Sequence, residues 1–219
     1  MKYEWITFDC YGTLIDWENG ITTAFERVSR RKGVPFDRNQ ILKLYARYEM
    51  EEEHVYKRYR EVLSRVARRI CVELGMPQPD YSFLAESLPR WRPFADTNTV
   101  LERLAKKYKL GILSNIDIDL FNETRRHFTV PFEFVITAEE VASYKPAPAH
   151  FQTARRKLGN AAWLHAAQSF VHDIVPCNKL EIDSAWINRK SEVTKDPKIK
   201  PVFEGRDLVA LENWLQGES

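Results

Sequence analysis

The chain has 219 residues, of which 44% are hydrophobic and 29% are charged, and its net charge at pH 7 is +2. This length suits one sizeable hydrophobic core, or a core with a smaller companion domain. So small a net charge, with basic residues scattered along the chain, argues against nucleic acid as a partner. No apolar run approaches the roughly 20 residues of a membrane-spanning helix, so we expect no membrane partner.

The cysteines and histidines indicate neither disulfides nor a metal site. Cys10, Cys71 and Cys177 lie far apart and form no CxxC pair. An odd number of unpaired cysteines is typical of a reducing compartment, and the N-terminus lacks a signal-peptide pattern. The histidines stand singly, without the spacing of zinc ligands. We therefore expect a cytoplasmic protein with no bound metal.

The chain begins with a predicted strand that ends at an acidic residue. The run 3–8 is aromatic and β-prone, and it leads directly into Asp9. A turn with Gly12 follows, and a helix begins at Asp16. Strand, acid, glycine turn and helix in this order are typical of an open α/β sheet, where ligands bind at the carboxyl ends of the strands. Taken alone, however, an aspartate at a strand end more often only caps a turn.

The segment 16–92 is predicted to be entirely helical. Apolar residues recur at helical spacing over 16–31, 39–51, 54–74 and 83–88. No part of it alternates like a strand, so we expect an all-helical domain inserted directly after the first strand. Its aromatic residues include Trp17, Phe36, Tyr45, Tyr48 and Trp91. Most should pack between helices, with one or two lining a pocket.

After Pro93, predicted strands and helices alternate. We expect strands at 110–113, 132–136, 163–171 and 184–187, and helices at 97–108, 121–128, before Gly159 and at 208–215. This alternation predicts a parallel sheet with right-handed crossovers. The chain is therefore expected to be α/β, with a Rossmann-like core from residues 1–15 and 93–219 and an all-helical domain from residues 16–92.

Polar residues stand at the ends of the predicted strands or in the loops that follow them. They are Asp9, Ser114 with Asn115, Lys145 and Asp173. Each has a purely structural explanation, because serine, asparagine and aspartate cap helices and lysine is common on surfaces. The carboxyl ends of parallel strands converge, however, so residues more than a hundred positions apart can share one pocket. The ordered set therefore predicts a single site.

The same residues carry a resemblance to a known family. Four stretches are similar, in order, to the motifs of the haloacid dehalogenase superfamily: Asp9–Leu14, Leu113–Asn115, Tyr144–Pro146 and the stretch to Asp173. The helical segment looks like that family's cap domain. The chain most resembles the 2-haloacid dehalogenase branch, and Thr7–Trp17 and Ile112–Asp117 look especially like azetidine-2-carboxylate hydrolases.

The resemblance implies a covalent mechanism, and the residue types agree with it. Asp9 would attack an sp³ carbon to form an ester, and Asp173 would position or deprotonate the water that hydrolyses the ester. Lys145 would hold Asp9 in its charged form, since a nearby positive charge lowers a carboxyl pKa. Groups that could orient Asp9 or hold a substrate carboxylate belong to Thr13, Ser114 and Asn115.

Tyr11 separates the chemistries open to this superfamily. Phosphatases of the superfamily generally carry an aspartate there, which protonates the leaving alkoxide. Tyrosine, with an ordinary pKa of about 10, is no strong acid at neutral pH. A halide or a ring ammonium leaves without a proton. We therefore expect cleavage of a carbon–halogen or strained carbon–nitrogen bond in a small 2-substituted carboxylate, without a cofactor. One alternative is a magnesium-dependent phosphatase that forms a phospho-aspartate, and a second is a catalytically inactive binding protein.

The chain departs from 2-haloacid dehalogenases around the expected halide site. Those enzymes place an arginine on the second cap helix, where this chain has Ala46, with Arg47 one residue later. One residue turns the helix by about 100°, so Arg47 need not face the pocket. The expected serine, asparagine and tryptophan of the fourth motif are replaced by Gln168, Phe170 and His172. The candidate substrate contacts are thus Tyr11, Asn115, Arg47 and His172. Relatives are often dimers, so a homodimer is a further expectation.

Overall fold

A parallel sheet forms the centre of the protein. The computed structural model describes residues 2–193 and 196–217. The strands of this part are β1 (Trp5–Phe8), β2 (Lys109–Ser114), β3 (Phe134–Thr137), β4 (Trp163–Ala167), β5 (Asp183–Ile187) and β6 (Phe203–Gly205). Their order is β3-β2-β1-β4-β5-β6, and all neighbours are parallel. The predicted α/β fold is confirmed, although β6, with only three residues, was not predicted.

Helices surround the sheet, and four more helices, which lie between β1 and β2 in the sequence, form a separate layer. This layer consists of α1 (Trp17–Lys32), α2 (Arg38–Glu52), α3 (Tyr59–Glu73) and α4 (Phe83–Ser87). The helices of the core are α5 (Thr97–Leu104), α6 (Ile118–Thr124), α7 (Ala138–Val141), α8 (Ala149–Leu158), α9 (Val175–Lys179) and α10 (Leu208–Gly217). In the described part of the chain, no helix combines the length and apolar character that crossing a membrane requires.

Local sequence explains where most helices of the layer begin and end. The Asp16 side chain accepts a hydrogen bond from the Asn19 amide at the start of α1, and Gly33 ends that helix at a φ of 66°. Asp37 caps α2 in the same way. α3 is different, because Asp117, which follows β2, accepts hydrogen bonds from the backbone amides of Tyr59 and Arg60 at 2.8 and 2.9 Å. The predicted start near residue 54 was therefore wrong, since a distant residue supplies this cap.

The two connections between the layer and the core lie side by side. The Asp16 amide donates to the Arg92 carbonyl at 2.9 Å, and the Phe94 amide donates to the Leu14 carbonyl at 3.0 Å. The Thr97 hydroxyl donates to that same carbonyl at 2.8 Å. The layer is thus joined to the core at one point, beside the end of β1.

The predicted strand 163–171 was too long. β4 ends at Ala167, and the chain then forms a π-helical turn, Phe170–Ile174. The Ser169 hydroxyl accepts a hydrogen bond from the His172 amide at 3.1 Å, which closes this turn. Asp173 is therefore presented from a tight turn beyond the strand, and its side chain faces back toward β1.

Candidate active site

A cavity of about 350 Å³ lies between the carboxyl edge of the sheet and the helical layer. On the sheet side it is lined by Asp9, Ser114, Asn115, Lys145 and Asp173. The structure thus brings together residues from four separate parts of the sequence, as the ordered set predicted. Thr13, also predicted, lies directly behind Asp9.

Lys145 is the centre of the charged groups. Its Nζ donates to Asp9 Oδ1 at 2.9 Å, to Asp173 Oδ1 at 2.6 Å and to the Leu113 carbonyl at 2.9 Å. These three acceptors use all three ammonium hydrogens. Burial lowers the pKa of Lys145, but the two carboxylates raise it by more, so the pKa lies above its usual range. The side chain is therefore a fixed positive charge shared by two acids.

The second oxygen of Asp9 is held by its neighbour in sequence. Thr13 Oγ1 donates to Asp9 Oδ2 at 2.9 Å and itself accepts a hydrogen bond from the Gln168 amide. Burial raises the pKa of Asp9, while the charge of Lys145 and its hydrogen bonds act in the opposite direction. Ionisation of this buried carboxyl group therefore depends on Lys145.

Asp173 has one occupied and one unoccupied oxygen. Its Oδ1 accepts from Lys145 and lies 3.0 Å from His165 Nε2, whereas the buried Oδ2 has no partner among the described residues. Burial raises the pKa of Asp173, but the attraction of Lys145 and the hydrogen bond from His165 outweigh it and bring it to about 2. Oδ2 is therefore a free acceptor on a charged carboxylate that lines the cavity.

His165 is a positioning residue that we did not predict. It lies on β4, fully buried, with Nδ1 2.8 Å from the Thr7 hydroxyl and Nε2 3.0 Å from Asp173. These two contacts fix the orientation of the imidazole and of the carboxylate beyond it. A histidine in the middle of a buried strand was the available signal in the sequence.

Ser114 and Asn115 differ in what they do. Ser114 Oγ lines the cavity, is buried and has no hydrogen-bond partner among the described residues. Asn115 also lines the cavity, but its amide binds the backbone of Lys145: Nδ2 donates to the Lys145 carbonyl at 3.0 Å, and Oδ1 accepts from the Lys145 amide at 2.7 Å. Asn115 therefore positions Lys145 and does not orient Asp9, which corrects one part of the expectation. Because Asn115 lines the cavity, a contact with the substrate carboxylate stays a prediction.

Tyr11 lines the cavity with its ring, and its hydroxyl is already occupied. The hydroxyl lies 2.7 Å from Thr124 Oγ1, and the ring packs edge-on against Trp91. Burial raises the pKa of Tyr11 well above its ordinary value. The residue is therefore even less suited to donate a proton than a free tyrosine.

The two further predicted contacts have different outcomes. His172 lines the cavity, half-buried. Arg47 does not line it, because its side chain is 60% exposed and pairs with Glu51 at 3.3 Å. The positions of α2 that line the cavity are Tyr45, Ala46, Glu49 and Met50, and Arg47 lies on the other side of the helix. The expectation of a substrate contact by Arg47 is thereby corrected.

Two acids from the helical layer were missed. Glu49 and Glu53 both line the cavity, and their spacing from Ala46, three and seven residues, places them on one face of α2 and its C-terminal cap. The hydroxyls of Tyr45 and Tyr59 donate to Glu49 Oε1. Burial raises the pKa of Glu49. Burial, followed by repulsion from Glu49, raises the pKa of Glu53 to about 9.

The raised pKa of Glu53 predicts that Glu53→Gln stabilises the protein. Between the ordinary pKa of 4.5 and about 9, the folded state binds more protons than the unfolded state, so the stability of the wild type falls as pH rises. We expect the variant to gain on the order of 1–3 kcal/mol at pH 7, allowing for the partial exposure of the group. Urea unfolding at pH 5, 7 and 8.5 measures this gain, which should increase with pH.

Glu51→Gln is the matched control, since Glu51 lies on the same helix, exposed and paired with Arg47 and Arg69. It should give no stabilisation at any pH. A Glu53→Gln variant that is no more stable at pH 8.5 than at pH 5, relative to the wild type, would contradict the prediction.

Known proteins resemble this chain in sequence and in fold. A family model described as haloacid dehalogenase-like hydrolase matches residues 3–167. The chain is 25% identical to the glyceraldehyde 3-phosphate phosphatase of Methanothermobacter thermautotrophicus, over 96% of both chains. It is 24% identical to the (S)-2-haloacid dehalogenase H-109 of Pseudomonas putida, over 97% of both chains. The L-2-haloacid dehalogenase of Xanthobacter autotrophicus, solved with chloropropionic acid covalently bound, superposes with a TM-score of 0.83 at 20% identity, over 99% of this chain and 100% of the other.

Proposed function

This chain belongs to the haloacid dehalogenase-like hydrolase family, and we propose that it cleaves a carbon–halogen or strained carbon–nitrogen bond of a small 2-substituted carboxylate through an ester at Asp9. That it is a hydrolase follows from the family. The substrate and the covalent route are the proposal. The observation that carries it is Tyr11, whose occupied, weakly acidic hydroxyl stands where a phosphatase needs a proton donor.

The first step requires an ionised, fixed carboxylate. Lys145 and Thr13 each hold one oxygen of Asp9, so the carboxylate has a single orientation at the cavity wall. Attack on the sp³ carbon forms a carbon–oxygen bond, and the electron pair of the breaking bond leaves with halide or with the ring nitrogen. Neither leaving group takes a proton from the protein in this step.

The second step is hydrolysis of the ester. Asp173 Oδ2, which is buried and has no partner among the described residues, would accept a hydrogen bond from the attacking water. With a pKa of about 2, Asp173 is a weak base in the resting site, so it orients the water more than it deprotonates it. Attack on the acyl carbon returns Asp9, releases the hydroxy acid, and leaves a proton for bulk solvent or for the released amine.

The helical layer fits the role of a cap. It supplies one side of the cavity and is joined to the core beside the end of β1. Movement of residues 16–92 about the connections near Asp16 and Arg92–Phe94 would admit substrate, and closure would exclude water from the reacting groups.

The proposal is tested by one turnover in ¹⁸O-labelled water with the enzyme in excess. 2-Chloropropionate and azetidine-2-carboxylate serve as substrates, and the peptide that contains Asp9 is analysed by mass spectrometry. Because water attacks the acyl carbon of the ester, we expect the label in Asp9 after the first turnover. Label in the product alone, with none in Asp9, would contradict the ester route.

The similarity to a glyceraldehyde 3-phosphate phosphatase keeps phosphate ester hydrolysis as a second candidate. The residues fit the magnesium ion of such a phosphatase poorly. The ammonium of Lys145 already lies between Asp9 and Asp173, and Tyr11 rather than a second acid stands two residues after Asp9. A phosphatase would hydrolyse p-nitrophenyl phosphate with magnesium, lose activity with a chelator, and place the label in the released phosphate.

A further inference from the structure

The cavity contains more acidic than basic groups. Among the described residues that line it, Asp9, Glu49, Glu53 and Asp173 carry carboxyl groups and Lys145 carries an ammonium. Asp9 and Asp173 share Lys145, whereas Glu49 and Glu53 form no ion pair within the described part of the chain. Even when Glu49 and Glu53 hold one proton between them, three carboxylates face the single ammonium of Lys145. A substrate that was only an anion would therefore meet unfavourable charge, and a cationic group on the substrate would improve the balance.

Glu49 and Glu53, the two acids without an ion pair among the described residues, are arranged to accept a cationic group. Tyr45 and Tyr59 both donate to Glu49 Oε1, and their hydroxyls lie 2.8 Å from each other. Both hydrogen bonds to the carboxylate are thus made to Oε1, and Oε2 has no partner among the described residues. Glu53 lies one helical turn further along the same wall. A carboxylate held in this way presents a fixed acceptor to the cavity.

The surroundings of these acids also suit a cation. The rings of Trp17, Tyr45, Tyr59 and Trp91 line the cavity, and aromatic faces attract ammonium groups. On the opposite side, the buried Ser114 hydroxyl has no partner in the described part of the chain and can donate to a carboxylate. The cavity thus has an acidic aromatic side and a hydroxyl-bearing side, which matches a small molecule with both charges.

We propose that Glu49 and Glu53 bind the ammonium group of a compact zwitterionic substrate, whose carboxylate lies toward Ser114. The inference rests on the proposed function and selects, from its substrates, those that carry an amine. The same acids would hold the nitrogen of a strained ring in place as it leaves. Ala46 agrees with this assignment, since the cavity face of α2 offers no cation to a halide.

Several charged and titratable groups surround Glu49 and Glu53. The pKa of Glu49 is influenced by Tyr59, Tyr45 and His172, and the pKa of Glu53 by Glu49, Lys145 and Lys57. Tyr144 also interacts electrostatically with both acids. Burial, followed by repulsion from Glu49, raises the pKa of Glu53 to about 9, so the pair holds a proton near neutral pH. Binding of an ammonium should expel it.

The test compares two probes of nearly the same shape. Azetidine-2-carboxylate carries an ammonium, and cyclobutanecarboxylate has a methylene in its place. Calorimetry on the Asp9→Asn protein, in which the covalent step is blocked, should show azetidine-2-carboxylate binding at least about tenfold more tightly, since charge pairs in a half-buried cavity are weakly screened. Glu49→Gln and Glu53→Gln should each reduce this ratio, and the control Glu51→Gln should leave it unchanged.

Proton release gives a second readout. At pH 7, titrations in buffers of different ionisation enthalpy should show release of about one proton per bound azetidine-2-carboxylate and none for cyclobutanecarboxylate. Equal affinity for the two probes, failure of both to bind, or a ratio that both glutamine variants leave unchanged would each overturn the inference. Label in Asp9 with 2-chloropropionate would then still support the proposed function, so the two failures can be told apart.

Discussion

Asp9→Asn should lower the single-turnover rate by about 10⁵-fold, because it replaces the carboxylate that acts as the nucleophile in the proposed route. An amide oxygen is a far weaker nucleophile than a carboxylate, while its shape still fits between Lys145 and Thr13. Product formation under enzyme excess measures the rate, and mass spectrometry of the peptide verifies that the amide is intact.

Asp207→Asn is the control for this substitution. Asp207 caps α10 through a hydrogen bond from the Ala210 amide, and asparagine can cap a helix equally well. It lies outside the cavity lining, so the rate should stay within about twofold. An Asp9→Asn protein that keeps more than a hundredth of the wild-type rate with an intact amide would exclude Asp9 as nucleophile.

Lys145→Met should lower kcat/KM by about 10³-fold at pH 7 and destabilise the fold by about 3 kcal/mol. The substitution leaves Asp9 and Asp173 buried, like-charged and without their shared cation. Lys145 lowers the pKa of Asp9, so its loss raises that pKa further. A smaller fraction of Asp9 is then ionised at neutral pH, and the residual activity should rise toward alkaline pH.

The measurement is a pH profile of kcat/KM, together with urea unfolding to show that the variant remains folded under assay conditions. Lys157→Met, an exposed lysine on α8, serves as the control and should leave both the profile and the stability unchanged. If the activity of Lys145→Met had the same pH dependence as the wild type, Lys145 would not control the ionisation of Asp9.

The fold and the polar residues at the candidate site could be predicted because both follow from local sequence patterns. Each predicted strand of the core ended near a polar residue, and parallel strands necessarily bring such ends together. Asp9, Ser114, Lys145 and Asp173 were therefore predictable from their order alone. The start of α3 was predicted less accurately because a distant residue, Asp117, caps it. The end of β4 was missed for a local reason, since the π-helical turn Phe170–Ile174 that follows it carries apolar residues that resemble a continued strand.

From sequence alone we predicted the proposed nucleophile Asp9, its cation Lys145 and the lack of a strong acid at Tyr11, because polar residues at the ends of successive parallel strands converge on one edge of the sheet. The side of α2 that faces the cavity could be read from the three-dimensional structure alone. It shows that Glu49 and Glu53 line the cavity and that Arg47 does not. The reason is that a helix carries polar residues all around, and only its packing on the neighbouring helices and the core selects the face that meets the substrate.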